Sequence, residues 1–169
     1  MTAVRLAPKR QWVHRLKYRV FVRLPPSLAT LPPMTFVLGP FGDVVTFPDG
    51  LTYLSYYPIS IQGWSFDFEP PRDWEAPCDG KPNPTFAREL AERVVHRLDE
   101  AVPGLRESRI AYVDAGAIFT WGKTDIDDPY SELHDRYDVG VEEADGYYSI
   151  DTGKYTMAPL FADQLARML

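Results

Sequence analysis

The chain has 169 residues, 45% of them hydrophobic and 25% charged, with a formal net charge of −6. That is the length and make-up of one globular domain with a sizeable core. No apolar run reaches the roughly 18 residues a bilayer span needs, and no secretory signal pattern opens the chain. The single cysteine, Cys78, excludes an internal disulfide and a cysteine-based zinc framework; the expected setting is cytoplasmic.

Charge is unevenly placed. Seven of the 18 Lys/Arg fall within residues 1–42, which hold no acid, and all 24 Asp/Glu follow. Such polarity suits an anionic partner. However, Arg19, Phe21 and Arg23 alternate with Tyr18, Val20 and Val22, as on one face of a strand. The expectation is therefore a basic strand face that docks on acidic protein surface, with no nucleic-acid binding.

In chain order, residues 17–24 (KYRVFVRL) alternate and are rich in β-branched and aromatic types, which predicts a strand. A proline-rich connection (25–33) leads to three short β runs, Met34–Leu38, Asp43–Phe47 and Leu51–Tyr57. Gly39-Pro40-Phe41-Gly42 and Pro48-Asp49-Gly50 supply the turns, so the runs form an antiparallel meander. Residues 58–83, with five prolines, read as a long loop. Asn83 then caps and Pro84 opens a helix whose buried stripe is Phe86, Leu90, Val94 and Leu98, with His96 on the polar side. Pro103-Gly104 stops it. Residues 108–121 read as a strand interrupted by Gly116, a sign of a bulge or a close backbone approach. A polar loop (122–136) precedes a hairpin, Tyr137–Glu142 and Tyr147–Asp151, turning at Ala144-Asp145-Gly146. A glycine loop and a terminal helix follow, the helix capped by Thr156 and burying Leu160, Phe161, Leu165 and Met168.

Several chemistries are excluded by spacing. Gly122-Lys123-Thr124 ends a phosphate loop, but Ala117 stands where its first glycine belongs. No G-x-G-x-x-G turn exists. No G-x-S-x-G elbow supports a nucleophilic serine, and Cys78 has no evident partner. Asp125, Asp127, Asp128, Glu132 and Asp135 surround His134 but match no calcium loop; a solvated acidic loop is expected and no metal. Strand alternation puts Tyr53 and Tyr57 on one face, where they would line a ligand pocket. At the C-terminal end, Gly153 frees the backbone, Lys154 adds charge, and the helix start favours an anion or a carbonyl-rich ring.

The stretch DTGKYTMAPLFADQLA resembles the C-terminal flavin-binding segment of FAD-dependent oxidoreductases of the D-amino-acid-oxidase / glycerol-3-phosphate-dehydrogenase superfamily. Gly153, Lys154, Tyr155 and Thr156 match the turn whose amides approach the flavin in that family. VDAGAIFTWG resembles the strand that passes near the ring, with Ala115 and Gly116 as its Ala-Gly pair. GPFGDVVTFPDGLTYLSYYP resembles the substrate-domain meander. The resemblance spans most of residues 15–169 and only the C-terminal half of such an enzyme. Two departures stand out: the dinucleotide-binding fold is absent, and Ile118 and Phe119 occupy the stretch where amino-acid oxidases carry a carboxylate-binding Arg.

The resemblance implies a single α+β domain, an antiparallel β meander with packed helices and a C-terminal strand–Gly loop–helix. It would be the substrate and ring-contact part of a flavoenzyme, a split subunit or shortened chain. FAD would be shared with a partner chain carrying the dinucleotide fold. A small-molecule substrate would pass a hydride to the flavin, with His134 as candidate base and Tyr53 and Tyr57 as pocket walls. The open face left by the missing half implies that partner or self-association. The second expectation is a non-catalytic α+β ligand-binding or assembly module that has lost the cofactor site.

Overall fold

The first described strand, β1 (Trp12–Arg23), is the axis of the fold. The computed structural model describes residues 12–37, 40–121, 139–153 and 155–169. The strand predicted over 17–24 extends back to Trp12. β1 pairs along its whole length with β6 (Arg109–Trp121), antiparallel. Its other edge is shared end to end. β4 (Leu51–Tyr56) pairs with residues 20–23, and β5 (Ile61–Ser65) with residues 14–17. β2 (Met34–Phe36) and β3 (Gly42–Thr46) continue the sheet beyond β4, giving six strands.

The expected meander is present. At its second turn Gly50 takes φ +77°, the left-handed region a glycine enters freely, and Phe47 N donates to Leu51 O at 2.8 Å. The long loop expected over 58–83 is not: one helical turn, α1 (Tyr57–Ser60), passes the chain from β4 to β5. A second short helix, α2 (Glu75–Cys78), follows a 3-10 turn at Arg72–Trp74. Prolines at 58 and 77 sit inside these short helices, where the first turns need no amide hydrogen bond. β5 was hidden because Ile61-Gln62-Gly63-Trp64-Ser65 is too short and mixed to alternate clearly. Its strand character comes from the open edge of β1.

α3 (Pro84–Asp99) lies on one face of the sheet. Asn83 accepts hydrogen bonds from Thr85 N and Phe86 N, both at 3.1 Å, satisfying two amides that the first turn leaves bare. Its buried stripe, Ala87, Leu90, Ala91, Val94, Val95 and Leu98, meets Leu16, Tyr18, Val20 and Val22 of β1, Leu54, Val113 and Ala115. Ile59 of α1 and Trp74 join the same core. Each fully buried Leu or Val contributes about 1.5–3 kcal/mol. His96 is exposed, as its place in the pattern predicts.

β7 (Gly140–Ala144) and β8 (Tyr147–Asp151) form the expected hairpin, turning with positive φ at Asp145 and Gly146. α4 (Ala158–Met168) packs on it through Phe161. Two details differ from expectation. A 3-10 turn, Tyr155–Met157, precedes α4, so Met157 rather than Thr156 holds the cap position, with no side-chain cap. Only Phe161 of α4 is buried; Leu160 and Met168 are exposed. Among the described residues no helix is long and apolar enough to cross a membrane.

Candidate functional site

Alternation along β1 sends Leu16, Tyr18, Val20 and Val22 into the helical core and Arg15, Lys17, Arg19, Phe21 and Arg23 to the opposite face. That second face is polar and aromatic, and it is where the chain's unusual chemistry collects. The basic row largely answers to acids and rings of the same chain. Arg19 makes a bidentate pair with Asp114, Nε–Oδ1 and Nη2–Oδ2 both 2.7 Å. Arg23 Nη2 stands 3.7 Å from Asp49 Oδ2. Arg15 lies over the Trp64 ring at 5.4 Å. The acidic surface expected from another protein is thus supplied in good part from within.

Lys17 is the centre. It is 7% exposed. Its Nζ is 4.0 Å from the Tyr57 ring centroid and 5.6 Å from that of Tyr53, and 3.8 Å from Asp43 Oδ2. Asp43 also accepts hydrogen bonds from Ser55 Oγ at 3.0 Å and Thr35 Oγ1 at 3.1 Å. Burying an ammonium group is costly unless acids and rings compensate it in this way. Burial, aided by the charge of Asp43, pushes the Tyr53 hydroxyl well above the usual tyrosine range, with the Ser55 hydrogen bond opposing. Tyr53 is therefore a neutral wall and hydrogen-bonding group, not a base.

Tyr53 and Tyr57 do converge, although not by strand alternation. Tyr57 has left β4 and opens α1, where Phe41 holds it: Tyr57 N donates to Phe41 O at 2.9 Å, and the rings meet edge-on at 4.6 Å. Further along the face, Phe21 stacks on Tyr112 with centroids 4.4 Å apart and touches Tyr53 at 5.9 Å.

Gly116 pairs directly with Lys17 across β1 and β6. The register is regular there; the irregularity lies between Phe21 and Val22, so Gly116 marks no bulge. Among the described residues, a Cβ added at Gly116 would meet nothing within 4 Å. Ala115 points the other way, into the α3 core, and is 2% exposed, so only its backbone is left for a ligand.

The second group of sequence-predicted residues sits on the hairpin unit. Gly153 has φ +58°, and an added Cβ would come 2.7 Å from Val139 Cγ1. Its need for glycine therefore has a local cause as well. Tyr155 is 91% exposed and Thr156 is exposed. The turn holding Tyr155 and Thr156 contacts α4, which contacts β7 and β8, whereas Ala115 and Gly116 pair with β1. His134 and Lys154 lie outside the described residues, as does the acidic run around His134. Among the described residues no group of three or more His, Cys, Asp or Glu is placed to hold a metal. Burial raises the Cys78 thiol above its ordinary value, which keeps it protonated and a poor nucleophile.

Lys17, at the centre of this face, is the residue that the sequence did not single out. Its only signal was membership of the acid-free basic quarter, which says nothing of the tyrosines that surround it. Comparison with protein-family models, with curated proteins and with solved structures finds no match, so the reading of this face rests on its own geometry.

Proposed function

We propose that this chain supplies the substrate-facing sheet and the ring-contact loop of an FAD-dependent oxidoreductase. The observation that carries the reading is the meeting of two separately identified motifs at one residue. Gly116, the glycine of the Ala-Gly pair, stands opposite Lys17, and Lys17 is framed by Tyr53 and Tyr57. A planar ring needs backbone without a side chain to approach, and Gly116 offers it. Gly153, Tyr155 and Thr156 present the other exposed backbone of suitable kind.

Flavin bound here would supply two-electron acceptor chemistry. The chain's own part is to hold a small substrate between Tyr53, Tyr57 and Lys17 and to exclude water from it. The adenine end requires a dinucleotide fold outside these 169 residues, because no pyrophosphate turn is among them. The test is to purify the chain alone and together with a protein carrying that fold encoded beside it, then record visible absorbance. Bound flavin in the joint preparation is expected; flavin in neither overturns the proposal.

A further inference from the structure

We propose that the unit of β7, β8 and α4 is a self-association surface, on which α4 packs antiparallel against α4 of a second copy of this chain about a two-fold axis at Gln164. The inference goes beyond the oxidoreductase reading and does not rest on it.

Exposed apolar surface is concentrated on this unit. Of the thirteen exposed large hydrophobic side chains among the described residues, seven fall between Tyr147 and Leu169. The unit's own cover is thin. α4 touches β7, β8 and the 3-10 turn before it, and Phe161 is its one buried side chain. A two-stranded hairpin is marginal by itself, and so is a helix of 11 residues, so further apolar burial would stabilise both. What α4 leaves exposed is ordered. Leu160, Gln164 and Met168 stand four apart and form one ridge; its two apolar members are 47% and 53% exposed. Along one flank of the ridge lie Asp163 and Arg167, the only charged side chains of α4. Arg167 Nη2 donates to Asp163 Oδ2 at 2.7 Å, and both side chains are more than half exposed. One charge of each sign favours neither an acidic nor a basic partner, nor an anionic membrane surface. The helix is instead complementary to itself. Antiparallel packing about Gln164 sets Leu160 against Met168 of the second copy, and Met168 against its Leu160, the reciprocal pattern of a two-fold contact. The charged flank then meets the same flank running the other way, so each Asp163 faces the other copy's Arg167. The opposed helix dipoles favour the same arrangement.

The test is sedimentation velocity of the full chain over a concentration series, in which a monomer–dimer transition is expected. Leu160→Glu, at a site whose exposure spares the fold, should raise the dissociation constant about tenfold or more by placing an unpaired charge in the contact. Asp163→Arg alone and Arg167→Asp alone should each weaken association about fivefold or more, because each sets like charges against each other across the axis. An equimolar mixture of these two variants should associate at least as tightly as the unaltered chain, since every facing pair in the mixed dimer is opposite in sign. Loss of fold cannot produce that rescue. A monomer at every concentration, a dimer indifferent to Leu160→Glu, or no rescue on mixing would overturn the proposal. Dimers of a chain that retains no flavin with any partner would uphold it while removing the oxidoreductase reading.

Discussion

The Lys17 ammonium lies 4.0 Å from the centroid of the Tyr57 ring, closer than it lies to the Tyr53 centroid. It links the middle of the central strand to the first residue of α1, across the point where β4 gives way to β5. The contact is buried, so its energy belongs at the upper part of the cation–aromatic range, about 0.5–2 kcal/mol. A double-mutant cycle of Lys17→Met and Tyr57→Leu, measured by urea unfolding, should return a coupling of about that size. Strictly additive losses would show that the ring contributes packing alone.

Gly116→Val separates the fold from the proposed site. The added side chain meets no described residue within 4 Å of its Cβ and a β-branched residue suits a strand, so stability should change by less than about 0.5 kcal/mol. Flavin retention in the joint preparation should fall about tenfold or more, because the branched side chain stands where a ring would approach. Retention unchanged from wild type would place the ring elsewhere.

Gly63→Ala is predicted to do the reverse. A Cβ there would come 2.7 Å from Trp74 Cζ2 and 3.3 Å from Leu16 Cβ. The Trp74 ring, 7% exposed, must shift against a packed core, at a cost of about 1–3 kcal/mol. Chemical unfolding should show the loss, and tryptophan fluorescence should shift to the red as Trp74 gains solvent.

The acid limb of stability should involve Asp99 at the end of α3. The Arg106 amide, together with the Gly104 amide and the Arg106 guanidinium, holds its carboxyl below the ordinary value of 3.8 despite partial desolvation. A depressed folded value means stability present above pH 3.8 and lost as pH falls through the folded value. Asp99→Asn should flatten the decline of stability below that pH and leave its shape from pH 5 to 7 unchanged. An NMR titration placing Asp99 at or above the ordinary value would contradict this.

Local chemistry was enough for the parts of the fold that local chemistry builds. Asn83-Pro84 with a four-residue apolar repeat specifies α3, and Pro48-Asp49-Gly50 specifies its turn, because caps and left-handed glycines act within a few residues. β5 escaped because a short mixed segment becomes a strand only when an edge is waiting for it. The cap assigned to Thr156 failed for a related reason: the chain tightens into a 3-10 turn first, and Pro159 rather than a hydroxyl marks the helix start.

By itself, then, the sequence determined an α+β fold, its meander, its long helix, its closing hairpin and the residue types of a polar and aromatic sheet face. Which of those residues meet was decided by tertiary structure. Lys17, Tyr57 and Gly116 are separated by tens of positions, and only the register of β1 with β6 and the corner between β4 and β5 bring them together. The reason is physical: alternation tells which face a residue takes, but strand pairing tells which neighbour it finds there, and pairing is a long-range choice made by the burial of the whole core.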